Sequence, residues 1–291
     1  MHYRNLSLCA LAGAASFASL ALAAPLPGGL DEPVLVGDDL IYPEGAAVPR
    51  FMTPAEQAYV ERFPLSGLRG FTQPSEYPSV RAVAEYEPMD AIIFAWQGQS
   101  SWTSIIVQMI NRITNQGDAD AIVYVDTSGA ISGVRSQIAA GGADMDRVRV
   151  LARNLDSIWM RDYGPRYIYE GEVRSIVDHT YNRPRPNDNQ LNVFHAQVFG
   201  HTRYEIPLVH GGGNYHLDAT GAGYATRLIN NENPGLTESQ IINLWSDYQG
   251  LTTRLFTPFP TSIDATQHID MWVQVVADNK VIISAWPTQS G

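Results

Sequence analysis

"GNYHLDATGAGYATRLINNENPGLTESQIINLWSDYQGLTTRLFTPF", residues 213–259, holds one complete cycle of strand, strand, helix and strand. "GNYHLDAT" and "GYATRLI" read as strands about a turn at Gly221. "TESQIINLWSDYQG" then opens a helix with the capping box Thr237 to Gln240 and closes it at Gly250, and "TRLFTPF" supplies the third strand. An α/β fold made of ββαβ units follows.

The same order extends in both directions. Upstream, "RVRVLAR", "WMRDYGPRYIY" and "VRSIVDHTYN" precede a weak helix near 188–200 and the strand "EIPLVHGGG". Before them, "AIIFAW" (91–96) and "AIVYVDT" (121–127) read as buried strands. The helix between them, "SWTSIIVQMINRITNQG", spaces Ile105, Ile106, Met109, Ile110 and Ile113 along one face. Downstream, "HIDMWVQVVADNKVIISAW" reads as a strand and hairpin with Asp278 and Asn279 at the tip. The cycle recurs about every fifty to sixty residues. The fourth has no helix, so the chain is expected to be incomplete.

Three segments precede or contain these units. Residues 1–23 have Arg4, an apolar stretch and Ala21-Leu22-Ala23, the pattern of a cleavable export signal, so the mature protein is expected to be periplasmic or extracellular with no stable membrane association. Residues 24–80 form a proline-rich lead-in: nine of the eighteen prolines fall between Pro25 and Pro78. Within it, "TPAEQAYVERFP" predicts a short helix with Thr53 as N-cap and Pro54 at its first position. Residues 81–291 carry the repeating units.

At 291 residues and 45% hydrophobic content the chain can bury a sizeable core. Its net charge is -11, and loss of residues 1–23 removes Arg4 and no acid, giving -12. That balance argues against a nucleic-acid partner and suits a cationic ligand. The one cysteine, Cys9, leaves with the signal, so the mature chain has neither thiol nor disulfide. The sequence carries no signature of oligomeric state.

Two kinds of hydrolase compete as readings of the polar motifs. "HGGGN" (210–214) can supply oxyanion-hole amides in an esterase, but no G-x-S-x-G nucleophile elbow is present. His-x-Asp occurs at His216 to Asp218 and at His268 to Asp270, yet without the HExxH grouping of a zinc hydrolase. No metal or cofactor is expected. In a strand, His268 and Asp270 share one face, while Trp159 and Asp162 fall on opposite faces unless the backbone bends near Gly164 and Pro165.

Taken in order, "WMRDYGP", "HGGGNYHLD", "NPGLTESQI" and "HIDMW" resemble the guanidine-modifying deiminases of the pentein superfamily, specifically the agmatine deiminases and bacterial peptidylarginine deiminases. The resemblance covers roughly residues 81–286. It implies a pentein-type α/β propeller of five ββαβ units, of which about three and a half are present. It also implies that Asp162 and Asp270 grip a guanidinium, that His268 is the general acid and base, and that Trp159 flanks the substrate stem. A planar guanidinium offers forked N–H donors that carboxylates accept in parallel, which suits two acids to this task.

"YNRPRPND" (181–188) resembles the segment whose arginines receive a peptide carboxylate, making Arg183 and Arg185 candidate anchors. The implied reaction converts a peptide arginine to citrulline and ammonia, with agmatine as the alternative substrate. Because the implied nucleophilic cysteine is not in this sequence, the chain as it stands is expected to be inactive, with an arginine-binding pseudoenzyme as the further alternative.

Overall fold

The computed structural model describes residues 29–65, 73–74 and 79–285; the export-signal reading at 1–23 lies outside the described residues. Strands β1 (Val34–Val36) and β2 (Asp39–Ile41) pair as a small hairpin ahead of helix α1 (Pro54–Arg62). Helix α1 starts where the sequence predicts. Thr53 Oγ1 accepts from Glu56 N at 3.2 Å, and Glu56 Oε2 accepts from Thr53 N at 2.7 Å.

After β3 (Val80–Ala82) comes a parallel sheet of β4 (Ala91–Ala95), β5 (Asp120–Val125) and β6 (Val148–Ala152), in that order. Parallel neighbours need crossovers, which helices α2 (Ser100–Gln116) and α3 (Ile131–Ala140) provide. Helix α3 was not evident in the sequence, and "RVRVLAR" completes this sheet instead of opening the next unit. The first unit is therefore β-α-β-α-β.

A single helical turn, α4 (Met160–Tyr163), leads into β7 (Arg166–Glu170), which pairs antiparallel with β8 (Val173–Tyr181). Short helices α5 (Pro186–Asn189) and α6 (Leu191–Phe199) return the chain to β9 (Thr202–His210), parallel to β8. Strand β3 completes this sheet in the order β3-β7-β8-β9. The next unit repeats the plan: β10 (His216–Leu217) antiparallel to β11 (Ala222–Thr226), helices α7 (Leu228–Glu232) and α8 (Glu238–Gln249), then β12 (Thr252–Phe256) parallel to β11. Strands β13 (Val273–Ala277) and β14 (Lys280–Ile283) form the final hairpin. Each sheet among the described residues is open.

Cores lie where helices cover sheets. Trp245, Ile241 and Tyr248 of α8 pack with Ile168, Ile206, Leu208 and Val177, joining the last two units. Ile106 and Ile110 of α2 pack with Val123, Val134 and Ile138. The predicted face of α2 is only half buried: Ile105 and Met109 are 55% and 44% exposed. They line a cleft of about 1150 Å³ between the first two sheets, together with Trp102, Trp159 and Tyr167.

Two local expectations are corrected. "WMRDY" is a helical turn and not a strand, because Asp162 N bonds to Trp159 O at 2.8 Å and Gly164 N to Met160 O at 2.8 Å before Pro165 ends the pattern. Likewise Ile269–Met271 is a 3-10 turn with His268 at its N-cap, and the strand begins only at Val273. Ile269 is buried and Met271 is 48% exposed, so these two do not share a face as strand alternation would require.

Candidate guanidinium site

Asp162 is brought inward by α4 and is 1% exposed. A buried carboxylate is costly unless it is paired and hydrogen-bonded, and here the partners are specific. Gly213 N donates to Oδ1 at 2.8 Å, and His268 Nδ1 lies 3.4 Å from the same oxygen. The third partner is Arg50, from the proline-rich lead-in. Its Nε meets Asp162 Oδ2 at 3.0 Å and its Nη2 meets Oδ1 at 3.2 Å, the forked pairing expected for guanidinium on carboxylate. The same Nη2 donates a short hydrogen bond to Asp270 Oδ2.

Asp162 and Asp270, 108 positions apart in sequence, therefore meet on one guanidinium. Burial alone raises the Asp162 carboxyl, but the hydrogen bond and charge of His268, with Arg50, outweigh it and hold the group well below the ordinary carboxylate value. Asp270 Oδ1 is buried with no hydrogen-bond partner among the described residues, which leaves it open to a nitrogen of a bound cation.

The loop Gly211–Asn214 forms the opposite wall. Arg161, whose partner the sequence did not identify, fixes this loop: its Nε donates to Gly212 O at 3.1 Å and its Nη2 to Tyr215 O at 3.1 Å. It also meets Glu85 and His216 Nε2. Burial, with the charge of Arg161, pushes His216 down to about 3, so the ring is neutral and accepts from Arg161. The glycines of "HGGGN" give close approach here. A Cβ at Gly213 would stand 1.6 Å from Arg50 Nη2 and 2.5 Å from His268 Nδ1; one at Gly212 would stand 1.9 Å from Arg161 O. In an Arg50→Ala background, Gly213→Ala is accordingly expected to weaken binding of N-acetylarginine amide at least about 100-fold, because the methyl group fills the space that Arg50 Nη2 takes. Titration calorimetry measures this, and an affinity within threefold of the Arg50→Ala parent would contradict it.

Beneath the acids, β8 and β9 slip register between Asp178 and Thr180. The slip turns His179 so that its Nε2 donates to Asp162 O at 3.0 Å, while its ring stacks on His210 with centroids 4.1 Å apart. Burial, reinforced by Arg166, holds His179 well below its ordinary value, so it supports Asp162 as a neutral ring.

The remaining sequence-predicted residues all touch the segment that carries Arg50. Trp159 Nε1 donates to Val48 O at 2.7 Å, Arg183 Nε to Arg50 O at 3.1 Å, and Arg185 Nη2 to Pro49 O at 2.7 Å and Phe51 O at 3.4 Å. Arg185 is also bound by Glu56, with Nε to Oε1 at 2.6 Å and Nη2 to Oε2 at 3.2 Å, and both side chains are fully buried. Asp188 anchors the loop below, accepting from Asp156 N at 2.8 Å and Ser157 Oγ at 2.6 Å.

Sequence reasoning missed Arg50, Glu56, Asn182 and Glu232. Asn182 Nδ2 bonds to Glu232 Oε1 and lies 3.5 Å from His268 Nε2, so a carboxyl stands one residue behind the imidazole. Burial raises Glu232 to about 7, against the lowering effects of Asn182 and Arg183. A carboxyl that stays protonated in the fold stabilises it below pH 4.5, and that stability is lost as pH rises toward about 7. Glu232→Gln is expected to remove up to about 3 kcal/mol of the stability change between pH 4.5 and 8. Urea unfolding at the two pH values tests this; parallel wild-type and variant profiles would contradict it.

Neither His-x-Asp pair builds a metal centre: among the described residues no group of three or more His, Cys, Asp or Glu side chains is placed to hold an ion. Asp218 instead caps its own turn, accepting from Thr220 N at 3.0 Å and Ala222 N at 3.1 Å.

Known proteins share this arrangement of chain. Agmatine deiminases of Pseudomonas syringae pv. syringae and Ectopseudomonas mendocina are each 28% identical over 173 residues, covering 54% of this chain and 47% and 46% of theirs. The chain thus spans about half the length of these curated relatives. Among solved structures, the agmatine deiminase of Enterococcus faecalis superposes with a TM-score of 0.65 at 17% identity, covering 76% of this chain and 65% of that one. A family model described as Porphyromonas-type peptidyl-arginine deiminase matches residues 81–290. That match includes Trp159, Asp162, His268 and Asp270 and most of the described fold, and the chain belongs to the Porphyromonas-type peptidyl-arginine deiminase family.

Proposed function

We propose that this chain forms the guanidinium-holding part of a deiminase that converts the arginine side chain of an exported peptide to citrulline and ammonia. One observation carries the reading: Asp162 and Asp270 grip the forked nitrogens of a single guanidinium, Arg50, beside the His268 imidazole. In the implied reaction a thiolate adds to the guanidinium carbon, one C–N bond breaks, and ammonia leaves with a proton from His268. Water then displaces the thiolate, leaving the ureido product. Asp162 and Asp270 hold the carbon in place and balance its charge throughout. No cysteine lies in residues 24–291, so this reading assigns them the binding and proton-transfer groups and not the thiolate.

A peptide substrate is supported by how the bound arginine enters the clamp, from a main chain whose carbonyl Arg183 holds at 3.1 Å. Agmatine is the second reading, favoured by the names of the curated relatives. Export is supported by residues 1–23. Titration of N-acetylarginine amide and agmatine, each against its neutral ureido counterpart, tests the site. The guanidinium ligands are expected to bind at least about 100-fold more tightly than the ureido ones. Equal affinities would overturn the reading, and the stronger of the two guanidinium ligands identifies the substrate class.

A further inference from the structure

The clamp and the groove beside it are already occupied by the protein's own chain. Four consecutive carbonyls, of Val48, Pro49, Arg50 and Phe51, are taken by Trp159, Arg185 and Arg183, the three side chains marked from sequence as contacts for a substrate. The side chain that leaves this segment enters the Asp162 and Asp270 pair as a free arginine ligand would. We propose that residues 46–51 are an intramolecular strap whose Arg50 occupies the guanidinium site, so that external guanidinium ligands bind only when the strap lifts away. This rests on the guanidinium-holding reading above and adds a regulation of that site.

The strap's attachments suit a segment that can be exchanged. Its buried apolar side chains are small, Ala46, Ala47, Val48 and Pro49, and most of its remaining hold comes from hydrogen bonds and the single cation. Apart from the pairing of Ala47 with Asp31, these interactions have equivalents in a bound peptide arginine, which can accept from Trp159, Arg183 and Arg185 through its own carbonyls. Firm anchors stand at both ends. Gly45 O accepts from Gly98 N at 3.1 Å, and Glu56 is bound in the buried pair with Arg185. Gly45 adopts φ +67, a conformation that eases a change of direction there. A short tethered segment reaches millimolar effective concentration, so a weak intrinsic hold is enough to compete with external ligand. The apparent affinity for that ligand falls by the fraction of time the strap is away.

Titration of wild type and Arg50→Ala with N-acetylarginine amide and with agmatine tests the strap, together with hydrogen exchange of the wild-type amides at 46–51. Arg50→Ala is expected to bind at least one probe about tenfold or more tightly than wild type. In the unaltered protein, saturating ligand is expected to speed exchange at Ala47, whose N–H is held by Asp31 at 2.7 Å. Unchanged affinity in a folded Arg50→Ala, or ligand binding with undiminished protection at 46–51, would overturn the strap while leaving the guanidinium site intact. Failure of both folded proteins to bind either probe would overturn the guanidinium reading itself and the strap with it. The exchange measurement uses no substitution, so it decides the matter even where Arg50→Ala folds poorly.

Discussion

Asp162→Asn is expected to lower affinity for N-acetylarginine amide by about 100-fold to 1000-fold, measured by calorimetry in the Arg50→Ala background so that the strap does not compete. The substitution keeps the shape but removes the charge, and it turns an NH₂ group toward donors. Gly213 N, His268 Nδ1 and the Arg50 fork all aim at this one carboxylate, and the ligand's fork is expected to take the place of Arg50. Breaking a buried charge pair from one side costs about 3–5 kcal/mol, and the stated range corresponds to the lower part of that cost, about 3–4 kcal/mol. The same site has a pH signature. Because its folded carboxyl is held well below the ordinary value, Asp162 contributes stability that is present above about pH 4 and lost as pH falls through the lowered value. Asp162→Asn is therefore expected to flatten the acid limb of the stability profile. Affinity within tenfold of the parent variant would contradict this assignment.

Glu56→Ala should produce the largest loss of stability, about 3–5 kcal/mol and on the order of 10 °C in melting temperature. Arg185 would remain in a fully buried site with its carboxylate partner removed. Its remaining acceptors, the carbonyls of Pro49 and Phe51 and the hydroxyl of Tyr181, are neutral and do not balance the charge. The paired replacement Glu56→Leu with Arg185→Met, which removes both charges at similar volume, is expected to recover most of the loss. Calorimetric melting separates the cases. A single variant as stable as wild type would mean that Glu56 does not neutralise Arg185, and that the lead-in is not tied to the body at this point.

Much of the fold was legible because its signals are local. The capping box Thr237 to Gln240 and the left-handed Gly250 bound α8 as the sequence predicts, and Asp278 and Asn279 turn the last hairpin. Helix α3 escaped notice because its short sequence, ISGVRSQIAA, offers only Val134 and Ile138 as buried positions and carries a glycine. The turns at Met160–Tyr163 and Ile269–Met271 were misread as strands, since apolar residues flanking a polar one fit either geometry over four residues. Asp162, His268 and Asp270 were found through motif resemblance and do converge. Arg50 carried no local signal. It lies 112 positions from Asp162 and 220 from Asp270, and a lone arginine in a proline-rich stretch reads as a solvated charge until the chain is folded.

That folding gives the site its chemical meaning. An arginine paired with a surface acid contributes little, whereas this one is held by two carboxylates, one of them fully buried, in a pocket walled by glycine. The fork of Arg50 matches the two oxygens of Asp162 in a way that a compact ammonium, which has no fork, does not.

The most direct test of the site is a crystal structure of Arg50→Ala with N-acetylarginine amide bound. The expected result places the ligand's guanidinium between Asp162 and Asp270, with carboxylate oxygens about 3 Å from its nitrogens. A ligand cation bound elsewhere, or one contacting only one of the two acids, would contradict it.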